Sequence, residues 1–77
     1  MAWYYEKQEE DQAMVIYGYG PETKEATGQL MYNKNTKEIT ILKIADNDTQ
    51  FGADWAAGHL LDVVKDGYPD NKIIMIG

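Results

Sequence analysis

Residues 46–67 read Asp-Asn-Asp-Thr-Gln-Phe-Gly-Ala-Asp-Trp-Ala-Ala-Gly-His-Leu-Leu-Asp-Val-Val-Lys-Asp-Gly. Within this stretch the apolar period switches from two residues to about 3.6. Asp46 to Gln50 are turn and cap residues, and Gly67 followed by Pro69 is a helix stop, so one helix is expected between them, capped by Asp46 or Asp48. At about 100° per residue, Ala53, Ala56, Ala57, Leu60, Leu61, Val63 and Val64 fall on one arc, the expected core face. Asp54, Gly58, Asp62, Lys65 and Asp66 fall opposite, together with Trp55 and His59, which are neighbours one turn apart. The alanines near the start of the arc let the helix lie close to a sheet.

Everything before this stretch reads as strand and turn. Trp3, Tyr4 and Tyr5 have strand preference, and Glu9-Glu10-Asp11 disfavours strand, so a short first strand ending in a solvated turn is expected. Residues 13–19, Ala-Met-Val-Ile-Tyr-Gly-Tyr, form the clearest early strand, closed by Gly20-Pro21. Alternation puts Met14 and Ile16 on one face and Val15, Tyr17 and Tyr19 on the other. A polar loop around Glu22 to Ala26 follows. Residues 27–33 and 38–45 are two more strands, joined by Asn33-Lys34-Asn35-Thr36-Lys37, whose asparagines tolerate the positive φ of a hairpin. Lys72 to Ile76 is the last strand. Its unbroken apolar run reads as a central strand, placed parallel to residues 38–45 through a right-handed crossover, with an antiparallel placement as the alternative.

The order strand, strand, strand, strand, helix, strand predicts an α+β fold of two layers, a mostly antiparallel sheet of about five strands with one helix on one face. The 77 residues support a single domain with one small core. A sheet of that size is about 20 Å wide and one helix about 10 Å across, so much of the sheet is expected to stay open. Trp3, Tyr5, Tyr17 and Tyr19 share faces within their own strands, and an aromatic patch on the open sheet face is expected from them.

Composition restricts the chemistry. There is no Cys, no Ser and no Arg, and 13 acidic residues against 7 Lys give a net charge of −6. Catalysis through Ser-His-Asp or Cys-His is excluded, and neither a phosphate-binding loop nor a dinucleotide fingerprint is present. One histidine without cysteine does not build an ordinary zinc site. Asp46 to Gln50 opens like a calcium loop, but Phe51 and Ala57 stand where such a loop needs glycine and glutamate. No metal and no cofactor is therefore expected. His59 and Asp62 are spaced like a carboxylate-oriented base, a pairing that surface helices also show by chance. An acidic chain without arginine is not expected to bind nucleic acid directly. No apolar run is long enough to cross a bilayer and the N-terminus has no signal-peptide pattern, so a cytoplasmic protein is expected.

These readings converge on a small non-enzymatic protein-interaction or regulatory module. Trp55 and His59 on the outer helix flank, with Trp3, Tyr5, Tyr17 and Tyr19, are the candidate partner-binding residues, since tryptophan and tyrosine supply large contact areas. The alternatives are an acidic nucleic-acid mimic built on Glu9, Glu10, Asp11, Asp54, Asp62 and Asp66, and a structural homodimer.

Overall fold

Alternation along the first two strands sends Trp3 and Tyr5 to the same side as Val15, Tyr17 and Tyr19, and strand pairing joins these residues into one continuous surface. Tyr5 lies opposite Tyr19, Tyr17 opposite Leu30, and Val15 opposite Tyr32. Directly opposed residues in an antiparallel pair point to the same face. The computed structural model describes residues 2–21, 25–46 and 48–75, so part of the expected 22–26 loop, Asn47 and Ile76 lie outside the described residues. Its elements are β1 (Ala2–Glu10), β2 (Met14–Pro21), β3 (Gly28–Asn33), β4 (Ile39–Lys43), α1 (Gln50–Lys65) and β5 (Asn71–Met75). The strands form one sheet in the order β4-β3-β2-β1-β5, antiparallel at every pairing. The α+β architecture is the expected one.

Four features of the strands and the sheet differ from the sequence expectation. β1 continues to Glu10 instead of ending near Tyr5, with a register shift between Lys7 and Glu9. Its acidic end is held by cations, because Glu10 accepts from Lys7 Nζ and Lys34 Nζ, both at 2.7 Å, and the turn begins only at Asp11. Second, the positive φ of the β3–β4 hairpin falls on Lys37 (φ 64°), not on an asparagine; Asn33 instead accepts from the amides of Asn35 and Thr36. Third, β5 is an edge strand paired with β1 and not a neighbour of β4. The successive antiparallel pairings make β5 run in the same direction as β4, but from the opposite edge. A helix of 16 residues is about 24 Å long, enough to carry the chain across the width of the sheet.

The fourth difference concerns the aromatic patch. Trp3, Tyr5, Tyr17 and Tyr19 are all buried beneath α1, and the open face carries none of them. Each strand's alternation separates two faces without saying which one the helix covers. The face with more aromatic bulk went inside, where Ala53, Ala56, Leu60 and Val63 of α1 pack on it. Leu61, at the margin of the expected helical arc, stays exposed. On the open face Ile73 and Met75 are 50% and 76% exposed, so the apolar run of β5 reflects one half-buried residue packed on the core, Ile74, flanked by two that face water. Gly18 and Gly20 let the chain fold back over that face: a Cβ at Gly20 would overlap the Glu25 carbonyl oxygen, and one at Gly18 would crowd Ala26.

Three buried tyrosines tie the layers together. Tyr5 Oη donates to the carbonyl of Ala56 within α1 (2.6 Å), and Tyr17 Oη donates to that of Pro69 beyond it (2.7 Å). Tyr19 Oη donates to Asp48 Oδ2 just before the helix (2.9 Å) and accepts from the amide of Ala45 (3.0 Å). Burial pushes Tyr17 and Tyr19 from 10.0 up to about 12, and Tyr5 further in the same direction. The unfolded chain begins to release tyrosine protons near pH 10 while the folded one holds them to about 12, so this stabilisation is complete below pH 10 and is lost as pH rises through that window. The melting temperature should therefore fall progressively above pH 10, with tyrosinate absorbance of the buried rings appearing together with unfolding. Tyr17→Phe should flatten the dependence.

Candidate functional site

The helix N-terminus is built by residues that serve both capping and packing. Thr49, in extended conformation, is the N-cap: its Oγ1 accepts from the amide of Gly52 (3.2 Å) and its carbonyl from that of Ala53 (2.8 Å). The expected cap, Asp46 or Asp48, is thus corrected to Thr49, because the Asp48 carboxylate is engaged by the Tyr19 hydroxyl instead. Its other oxygen lies where a Cβ on Gly52 would be, which is why glycine occupies the first turn. A carboxylate there also meets the positive end of the helix dipole. Asp46 is anchored in turn by its amide donating to Thr27 Oγ1 (2.8 Å).

Fixing the helix start in this way leaves a cleft between α1 and the ends of β1 and β2. Its volume is about 360 Å3, and Trp3, Pro21, Asp48, Thr49, Phe51, Gly52 and Trp55 line it. Trp3 and Pro21 face each other across the β1–β2 pairing, and the Trp3 ring lies 6.1 Å from that of Tyr19. Trp3 is 2% exposed and its Nε1 is buried with no acceptor among the described residues. An indole nitrogen can only donate, and leaving such a group buried and unpaired costs about 1–3 kcal/mol. Asp48 and Thr49 are the polar residues of the lining, and neither is a partner of this nitrogen.

Above the cleft the outer flank of α1 carries a ladder of rings. Phe51 is 71% and Trp55 45% exposed, their centroids are 5.9 Å apart, and His59 follows 6.2 Å from Trp55. These are successive i, i+4 positions, so the helix repeat itself produces the ladder. No family model matches the sequence, and no curated protein and no solved structure is significantly similar to it. The residues themselves carry the functional argument.

Of the six residues singled out from sequence, Trp55 and His59 stand together on the helix flank and Trp3 lies in the adjoining cleft. Tyr5, Tyr17 and Tyr19 are fully buried and have no surface to offer a partner. Phe51 and Pro21 were not singled out. Phe51 was readable, since it precedes Trp55 by the same four residues that separate Trp55 from His59; Pro21 depends on strand register. His59 Nδ1 is 3.6 Å from Asp62 Oδ2, an ion-pair separation beyond hydrogen-bond reach, and His59 stands outside the cleft. Among the described residues no group of three or more His, Cys, Asp or Glu is placed to hold a metal ion, and no helix is long and apolar enough to cross a membrane.

Two helical glycines test how the site is built. Gly58 has open space around it, so Gly58→Ala should stabilise the fold by about 0.5–1 kcal/mol through helix propensity. Gly52→Ala should forfeit that gain or reverse it, because the new methyl must push the Asp48 carboxylate away from Tyr19. Thermal melts of the two variants beside the parent chain measure the difference.

Proposed function

We propose that this chain is a non-enzymatic interaction module that engages a protein partner through the Phe51–Trp55–His59 flank of α1 and the cleft beside it. The carrying observation is the ring ladder. Large aromatic side chains with this exposure are costly to leave in water, whereas at a contact surface they provide area at a small loss of conformational freedom. The rings sit on a helix whose start is fixed by the Thr49 cap and the Tyr19–Asp48 bond, so the backbone that carries them is preformed.

The acidic-mimic reading has less support. Its charges are separated and largely engaged: Glu10 is bound by two lysines, Asp11 accepts from the amides of Ala13 and Met14, and Asp66 pairs with Lys72. A mimic of a phosphate backbone needs a continuous run of free charge.

Affinity purification of the tagged chain at low and moderate salt, with Phe51→Ala and Trp55→Ala alongside, tests the proposal. A stoichiometric protein should survive the higher salt and be lost with either variant. Substitution at a central aromatic should weaken the isolated complex by about 30-fold or more, corresponding to about 2 kcal/mol. Binding that collapses with salt and ignores both rings would favour the mimic. A concentration-dependent mass with no captured protein would favour the homodimer, for which the exposed Ile73 and Met75 of edge strand β5 are the natural surface.

A further inference from the structure

We infer that the cleft takes a proline-containing, basic peptide segment in the polyproline II conformation, with one peptide carbonyl accepting from Trp3 Nε1. The inference rests on the reading of this surface as a partner site and names the kind of segment that fits it. The walls come first. Trp3, Pro21, Phe51 and Trp55 present flat apolar surfaces, and aromatic-lined grooves of this kind suit proline rings. The unpartnered indole N–H comes second, because a buried donor on a lining residue calls for an acceptor that neither Asp48 nor Thr49 of the lining supplies. A polyproline II segment makes no internal hydrogen bonds and so brings free carbonyls, whereas the carbonyls inside an α-helical partner are already engaged.

A partner strand is disfavoured at this place. Trp3 of β1 is paired on both sides, with Pro21 and with Ile74, and Pro21 of β2 has no N–H to offer an added strand. Charge sets the remaining preference. Asp48 already supplies the anion at the helix N-terminus, Asp54 lies on the same turn as Trp55, and the chain is at −6, so an acidic segment is repelled and a lysine or arginine beside the proline is favoured. Since Trp3 Nε1 is buried in the free protein, its acceptor arrives together with a displacement of the surrounding groups, of which the exposed Phe51 and Trp55 rings are the least confined.

The full chain contains two tryptophans, so a 15N-labelled sample gives two indole N–H signals that report the cleft directly. The probe is a synthetic ten-residue peptide with two prolines flanked by lysines, compared with its Pro→Ala and Lys→Glu counterparts. The expected result is saturable binding in which the Trp3 indole proton moves downfield as it gains an acceptor. Both altered peptides, and Trp3→Phe, which keeps a ring but removes the donor, should bind about tenfold more weakly or worse. Should Trp3→Phe not fold, the indole shift in the unaltered chain decides. Equal binding of the Pro→Ala peptide, a shift confined to Trp55, or absence of binding would overturn the inference. Saturable binding of tetramethylammonium, included as a small-cation probe, together with no peptide binding would assign the cleft to a small ligand instead. Any of these failures can be told apart from failure of the interaction-module reading, which is decided by loss of the captured protein with Phe51→Ala and Trp55→Ala.

Discussion

Three tyrosine hydroxyls reach across the core to the backbone or side chain that leads into, through and out of α1, and they fix how the helix sits on the sheet. Tyr19 holds Asp48 before the helix, Tyr5 holds the Ala56 carbonyl within it, and Tyr17 holds the Pro69 carbonyl after it. Burying a tyrosine leaves a hydroxyl that must be satisfied. Here that need gives direction to packing that is otherwise non-directional: apolar contact alone would allow the helix to slide or rotate on the sheet, and three bonded hydroxyls at separate points oppose both.

The ring ladder and the cleft are consequences of that placement. With the helix start fixed over the ends of β1 and β2, the residues at 51 and 55 project away from the core arc and stay exposed. Glycine enters wherever two parts come closer than a side chain allows. Gly52 accommodates the Asp48 carboxylate, Gly28 accommodates the Tyr19 ring, and Gly20 accommodates the segment folded over the open face. The opposite end of the sheet is held by charge instead, with Lys7 and Lys34 on Glu10 and the Lys34 ammonium 4.4 Å above the Tyr68 ring. Exposed pairs of this kind add little stability singly, but together they allow β1 to extend through an acidic segment.

Where the sequence reading and the structure part, the causes are specific. Residues 9–11 read as a turn because local preference weighs only the chain itself; Lys34, from the hairpin turn after β3, changes the balance at Glu10. The last strand was read as central because Ile73-Ile74-Met75-Ile76 is apolar throughout, yet an edge strand can expose apolar side chains when its neighbours leave them uncovered. Trp55 beside His59 was readable from helical spacing, and Phe51 was available by the same spacing. Trp3 entered the site for a different reason, through a register with Pro21 that brings β1 beneath the helix start.

The sequence by itself determined the element order, the helix with its core arc, and the division of each strand into two faces, because these depend on periodicity, caps and turn residues close together in the chain. It also removed thiol and serine nucleophiles, since the residues are absent. Only the tertiary structure decided which sheet face the helix covers, and therefore that Tyr5, Tyr17 and Tyr19 are structural while Trp55 and Phe51 are available. The two faces of β2 are both apolar, so local pattern leaves them nearly equivalent. The choice is made when strand register aligns Trp3, Tyr5, Tyr17, Tyr19, Leu30 and Tyr32 into one surface large enough to bury the helix, with hydroxyls placed to meet its backbone.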